Sequence, residues 1–301
     1  MREIKIHEVG LRDGLQMESE PIPTITKIEY TDQMIAGGMK IIQLGSFVHP
    51  GKVMQMADTD ELFEHFNEPE NKQDDVIFSG LVLNERGMER GMKCGVDMFC
   101  LGVSASETHS MKNTGMTVSD ASDRIIKMAK EALSAGKIVQ ASIQSAFGCG
   151  FEGKIEEDKV LSIVKRYIDA GVKIISLADT AGHADPAQAE RMFKAIHALD
   201  PSVETACHFH NTYGMGLANC LAAYNHGVTY FETAFGGLGG CPFTKIAAGN
   251  VATEDVVHMF QKMGILKDLD LQKLIAVPTY CSGFLIKDFP GFIYKSGPIK
   301  E

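Results

Sequence analysis

No stretch of the 301-residue chain approaches the ~18 continuous apolar residues that a membrane helix needs. The opening MREIKIHEVG alternates charged and apolar residues and holds no run suited to a signal peptide; the closing GPIKE carries no targeting tag. Positive charge is also scarce. The 29 Lys and Arg against 39 Asp and Glu give a net charge of −10. A duplex nucleic-acid binder shows a basic face, so this balance argues against one, while a small anionic ligand held by a few local cations remains compatible. The seven cysteines (94, 100, 149, 207, 220, 241 and 281) follow no CxxC or disulfide spacing. Reduced thiols in a cytoplasmic protein without a membrane partner are therefore expected, most of them buried fillers. A Pro/Ser-rich linker is missing too, and no GxGxxG follows the first strand-like run, where residues 10–15 read GLRDGL.

What is present has the composition of a globular protein, 45% hydrophobic and 23% charged. Short apolar, β-branched runs recur at 4–9, 40–47, 76–83, 97–104, 138–145, 173–179, 204–210 and 229–235. Between them lie amphipathic stretches, among them 24–37, one around 52–66, 119–134, 156–170, 186–199, 214–225 and 253–263. The joins AGGMKIIQL, KCGVDMFCL, DAGVKIISL and NHGVTYFET each put a glycine where a helix C-cap belongs and then step into a strand. Eight such βα units predict a (β/α)8 TIM barrel. It should span 1–267, with a short helical C-terminal extension over 268–301 packed on it. An open doubly wound sheet is the rival, and it usually has fewer strands.

Barrel enzymes act at the C-terminal ends of their strands. Arg12, Asp13, Gln43, Ser104, Gln144, Asp179, His208, His210 and Thr233 fall there. His208 and His210 are two apart on one strand, so both imidazoles can face the barrel mouth and share a metal. Asp13 would complete a mixed nitrogen and oxygen set, which suits Mg²⁺, Mn²⁺ or a late divalent ion. Residues 234–250 form a glycine-rich lid candidate with Cys241 at its end. Asp179 reads as a group supporting the metal, as a base, or simply as the cap of the next helical turn. Arg12 could be an ordinary ion-pair partner or the stabiliser of an enolate oxygen.

HEVGLRDGLQ (7–16), GSFVHPGKVMQMAD (45–58), FGCGFEGKI (147–155), ISLADTAG (175–182), HFHNTYGMGLAN (208–219) and GGLGGCPF…GNVATED (236–255) occur in that order. Through them nearly the whole chain, to about residue 275, resembles the 3-hydroxy-3-methylglutaryl-CoA lyase family of metal-dependent (β/α)8 carbon–carbon lyases. The resemblance implies Asp13, His208, His210 and Asn250 as metal ligands. Arg12 would stabilise enolate charge, Cys241 would act as acid or proton shuttle, and Asp179 would help move the substrate hydroxyl proton. It also implies substrate contacts from Gln16, Gln43, Lys112, Asn113 and Gly239, an acyl-CoA thioester as substrate, and a homodimer. Two positions and one three-residue segment depart from the family's pattern. Gln43 stands where Glu is common, Asn211 where Asp is common, and Thr244-Lys245-Ile246 where small residues are usual.

The implied reaction is retro-Claisen cleavage of a tertiary 3-hydroxyacyl-CoA, yielding acetyl-CoA and acetoacetate from the family's namesake substrate. The departures keep three other expectations open. These are a lyase for a related thioester such as citramalyl-CoA, a Claisen acyltransferase of the isopropylmalate or homocitrate synthase type, and a non-catalytic acyl-CoA-binding barrel.

Overall fold

The computed structural model describes residues 2–240 and 249–299. Eight parallel strands close into a barrel in chain order, with the first bonded to both the second and the last. They are β1 (Lys5–Glu8), β2 (Ile41–Ser46), β3 (Ile77–Leu81), β4 (Met98–Ser104), β5 (Ile138–Gln144), β6 (Ile174–Asp179), β7 (Glu204–Phe209) and β8 (Tyr230–Thr233). The helices of the first half are α1 (Thr24–Ala36), α2 (Thr59–Asn67), α3 (Glu85–Lys93), α4 (Glu107–Thr114) and α5 (Val118–Ser134). The second half adds α6 (Glu157–Asp169), α7 (Pro186–Leu199), α8 (Gly216–Asn225), α9 (Thr253–Lys262), α10 (Leu271–Leu285) and α11 (Ile293–Ser296). The eightfold alternation read from the sequence is the observed architecture. Among the described residues, no helix is long and apolar enough to cross a membrane.

The repeated joins work as expected. Gly38, Gly95, Gly171 and Gly227 have φ of 93°, 79°, 87° and 103°, the left-handed region that ends a helix and that a side chain disfavours. Helix starts are fixed by caps: Asn84 accepts Gly87 N, Thr117 accepts Asp120 N, and Asp185 accepts Gln188 N just before Pro186. The helix expected around 52–66 is in fact a short 3₁₀ turn at Met54–Met56 followed by α2. Lys27 Nζ bonds both Gln55 O (2.7 Å) and Asp58 Oδ1 (2.6 Å), and this buried cation holds the break between the two pieces. Beyond α9, α10 lies on α1, where Leu274 covers Gly37 and Asp270 N donates to Gly37 O.

Strand parity decides which side chains enter the barrel. A lower interior layer is made mostly by Ile41, Met98, Cys100, Ile174, Ala206 and Tyr230, with His7 of β1 hydrogen-bonded to Ser79 of β3 beside them. Above it, toward the strands' C-terminal ends, the same faces carry Gln43, Gln140, Ser142, Ser176, His208 and Glu232. A polar layer in a barrel interior departs from the branched aliphatic filling that the architecture favours, and it marks the functional end.

Candidate active site

After β1 the chain turns through Gly10–Gly14 in a single π-type turn. This turn delivers Arg12 and Asp13 to the mouth, a local irregularity of the kind found at functional sites. Gly10 allows it, because a Cβ there would lie 2.4 Å from the Phe235 ring. Glu8 fastens the turn's start: its Oε1 accepts Gly10 N at 2.7 Å and Phe235 N at 3.1 Å, and its Oε2 accepts the Thr253 hydroxyl. One buried carboxylate thus ties together the turn, the glycine-rich segment and the start of α9.

At the cavity floor, His208 Nε2 and His210 Nε2 lie 3.2 Å apart, and they are 3.7 Å and 3.8 Å from Asp13 Oδ2. All three residues are buried, and their ligand atoms fall within 4.8 Å of one another. Asn250 meets the same group. Its Nδ2 donates to Asp13 Oδ2 at 2.8 Å and to Leu238 O at 2.9 Å, while its buried Oδ1 has no hydrogen-bond partner. Two imidazole nitrogens and a carboxylate oxygen at one point, with the half-satisfied Asn250 amide hydrogen-bonded to that carboxylate, fit a divalent cation. Gly239 makes the approach possible, since a Cβ on it would stand 2.6 Å from Asn250 Nδ2.

The electrostatics agree with this donor set. Burial would raise the Asp13 pKa, yet the Arg12 guanidinium and the two histidines hold it well below the usual carboxylate range. Burial pulls His210 down, toward the neutral form that a ligand needs. For His208 burial acts in the same direction but is outweighed by the hydrogen bond and charge of Glu232, which raise it. Arg12 donates from Nη1 to Asp13 Oδ1 and from Nε to Gln43 Oε1, both at 2.5 Å. A fixed guanidinium beside a buried donor set can stabilise an oxyanion developing next to it. The cavity above measures about 380 Å³ and is walled by Arg12, Asp13, Gln16, Gln43, Asn113 and Gly240 on one part, with apolar Val48, Val53, Leu81 and Leu83 on another.

A family model described as HMGL-like matches residues 3–280. The chain belongs to the HMGL-like family. It is 34% identical to a hydroxymethylglutaryl-CoA lyase of Bacillus subtilis, over 96% of this chain and 95% of that protein. To the (R)-citramalyl-CoA lyase of Chloroflexus aurantiacus it is likewise 34% identical, over 99% and 96%. Among solved structures, an HMG-CoA lyase from Acinetobacter baumannii in complex with coenzyme A and 3-methylmalate superposes with a TM-score of 0.92. Identity there is 37%, covering 99% of this chain and 96% of that one. This HMGL-like chain is a carbon–carbon lyase.

Other residues of this HMGL-like chain stand differently from the sequence reading. Asp179 holds a loop turn: its carboxylate oxygens accept His183 N (2.7 Å) and Ala184 N (3.1 Å), the next helix is capped by Asp185, and Asp179 is not part of the cavity wall. Burial pushes its pKa up to about 7. Parity explains the placement, because Ser176 and Ala178 face inward on β6 and Asp179 faces out. Ser104 and Thr233 also miss the cavity. Ser104 Oγ accepts Ser106 N, and Thr233 bonds the Thr253 hydroxyl at 2.7 Å. Lys112 lies over the Phe151 ring, 4.8 Å from its centre, and is absent from the wall that its neighbour Asn113 enters. Asn211 caps its own loop, Oδ1 accepting Gly216 N at 2.9 Å, and does not line the cavity. Cys241, Thr244, Lys245 and Ile246 lie outside the described residues.

The sequence reading passed over Glu232, a buried carboxylate in the cavity floor. It also passed over Glu8. The signal for Glu232 was available: it stands two after Tyr230 on the inward parity of β8, whereas Thr233 stands on the outward one.

Proposed function

We propose that this chain cleaves 3-hydroxy-3-methylglutaryl-CoA to acetyl-CoA and acetoacetate by a retro-Claisen reaction. The observation that carries the reading is Asp13, His208 and His210 grouped on one cavity floor with Arg12 beside them. End-to-end likeness to hydroxymethylglutaryl-CoA lyases supports it. Asp13, His208, His210 and Asn250 would hold Mg²⁺ or Mn²⁺, which supplies Lewis acidity at the substrate's hydroxyl and carbonyl oxygens. In the cleavage itself, the C3 hydroxyl gives up its proton, which by the end of the cycle restores the Cys241 thiol, and, as C3–O becomes a carbonyl, the C2–C3 bond breaks. Its electron pair passes to C2, forming the enolate of the acetyl thioester. Arg12, fixed by Gln43 and Asp13, stabilises that enolate oxygen.

Cys241 returns a proton to C2, and the glycine-rich segment before it keeps water from the enolate. Asp179 holds the turn that carries Thr180 into the cavity wall, which is a positioning role. Gln16, Gln43, Asn113 and Gly239 bound or shape the acyl-thioester space, and Lys112 serves the coenzyme at its rim. Residues 1–267 form the catalytic barrel, with 268–301 an extension on it. Exposed Tyr280, Phe284 and Phe292 in that extension support a homodimer. Six described cysteines, all free, support a cytoplasmic setting.

The likeness to (R)-citramalyl-CoA lyase favours a second reading, in which the carboxylate sits directly on the carbinol carbon and the keto-acid product is pyruvate. The purified protein, given each thioester with Mg²⁺ or Mn²⁺ and followed by mass spectrometry, separates the two. Acetyl-CoA with acetoacetate supports the first reading, and acetyl-CoA with pyruvate alone supports the second. No cleavage of either thioester would overturn both.

A further inference from the structure

Glu232 is a buried charge to which the proposed chemistry gives no task. Its exposure is 6%. Donors from three other strands meet on its carboxylate. Gln140 Nε2 of β5 and Ser176 Oγ of β6 reach Oε1 at 2.5 and 2.8 Å. His208 Nδ1 of β7 reaches Oε2 at 2.8 Å. One step below on the same faces of β8, β7 and β6 stand Tyr230, Ala206 and Ile174, so a charge in this position is strongly unfavourable unless these donors compensate it. An aliphatic side chain would fill the same space without that compensation. The arrangement therefore points to a task for the carboxylate beyond packing.

We propose that Glu232 is a positioning residue that fixes the ring orientation and tautomer of His208 for divalent-cation binding. The inference rests on the cation-binding reading of Asp13, His208, His210 and Asn250. A carboxylate can only accept, so the His208 nitrogen facing it carries the N–H. The opposite nitrogen, Nε2, then keeps its lone pair, and this is the atom 3.2 Å from His210 Nε2 and 3.7 Å from Asp13 Oδ2. Gln140 and Ser176 hold the other carboxylate oxygen, which prevents Glu232 from rotating away from the ring. The negative charge behind the imidazole also makes Nε2 a stronger donor toward a cation.

The test is Mn²⁺ titration of the substrate-free protein, following free Mn²⁺ by electron paramagnetic resonance, for wild type, Glu232→Gln and Ser176→Ala. Glu232→Gln keeps the shape and removes the charge, and the Mn²⁺ Kd should rise about 10- to 100-fold. Turnover should recover when Mn²⁺ is raised to saturation. Ser176→Ala removes one hydrogen bond to the carboxylate without touching His208, and its Kd should rise about fivefold, the worth of one such bond. This variant carries the test if Glu232→Gln does not fold. A Kd unchanged in the folded variants would overturn the proposal. So would a loss of turnover that saturating Mn²⁺ does not restore, because Glu232 would then act on the substrate. The wild-type titration judges the cation reading by itself: a wild type that binds no Mn²⁺ would overturn that reading and this proposal together.

Discussion

Replacing Arg12 by glutamine should separate two consequences of one guanidinium. Arg12 and Asp13 are nearly enclosed, with side-chain exposures of 12% and 11%, and Arg12 is held by Gln43 Oε1 on one edge and Asp13 Oδ1 on another. Glutamine removes the charge that would face the enolate, and loss of such a stabilising group lowers kcat by about 10²–10³, or ~2.7–4 kcal/mol of transition-state energy. Asp13 meanwhile loses its adjacent cation, and breaking a buried pair from one side costs ~3–5 kcal/mol of stability. A divalent cation in the donor set would replace the missing charge next to Asp13. The variant's melting temperature should therefore fall clearly below wild type in metal-free buffer and approach it when Mn²⁺ is added. The assay is acetyl-CoA release under saturating Mn²⁺, together with paired melts with and without the metal. A kcat within about tenfold of wild type would refute the enolate role. An equal drop in melting temperature under both conditions would refute the electrostatic account of Asp13.

Two further outcomes concern stability. Lys27 is 2% exposed at its side chain and pairs with Asp58, so Lys27→Ala should lose ~3–5 kcal/mol in denaturant unfolding, and a loss under ~1 kcal/mol would contradict the pairing. Burial raises the carboxyl of Glu254 from 4.5 to about 8 and that of Glu8 from 4.5 to about 7. The folded protein therefore keeps protons that the unfolded chain releases over this range. Their contribution to stability is full below 4.5 and is lost as pH rises toward 8. Asp13, whose folded pKa is depressed, acts in the opposite sense, and only near and below its unfolded value of 3.8. Burial lowers the pKa values of His7, His109, His197 and His210 from 6.5, and these groups act in the opposite sense near and below that value. The fall in melting temperature should therefore show between about pH 7 and about pH 8, and Glu254→Gln should flatten it there. A variant with the wild-type slope would count against the assignment.

The barrel was legible because its punctuation is local. A glycine needed at left-handed φ and a strand's apolar run both leave their mark within ten residues, so the eight units could be counted directly. The histidine pair was legible for the same reason, since i and i+2 share a face whatever the partners. Side chains at the strand ends were harder. Asp179 and Thr233 are polar residues at the correct height of the barrel, but each is one residue off the inward parity. Recognising that requires the register to be known from the apolar layer beneath. Glu232 was hidden by the same ambiguity. Asn211 was read only for the charge it lacks, and its place as a loop cap whose oxygen serves a backbone N–H went unread. Such a role depends on the path of the chain from 211 to 216, which no spacing rule supplies.

The contact between Asn250 and Asp13 joins positions 237 residues apart. It exists because β8 pairs with β1, the last hydrogen-bonded seam of the ring. A cation held by both residues, as proposed above, would bridge the first and last staves of the barrel and would be bound with full affinity only after the ring has shut. Free cation then stabilises the closed form by mass action, in proportion to the logarithm of its concentration over Kd. Opening at this seam would separate Asp13 from Asn250, so under the proposed ligand set it would release the ion and dismantle the site in the same event.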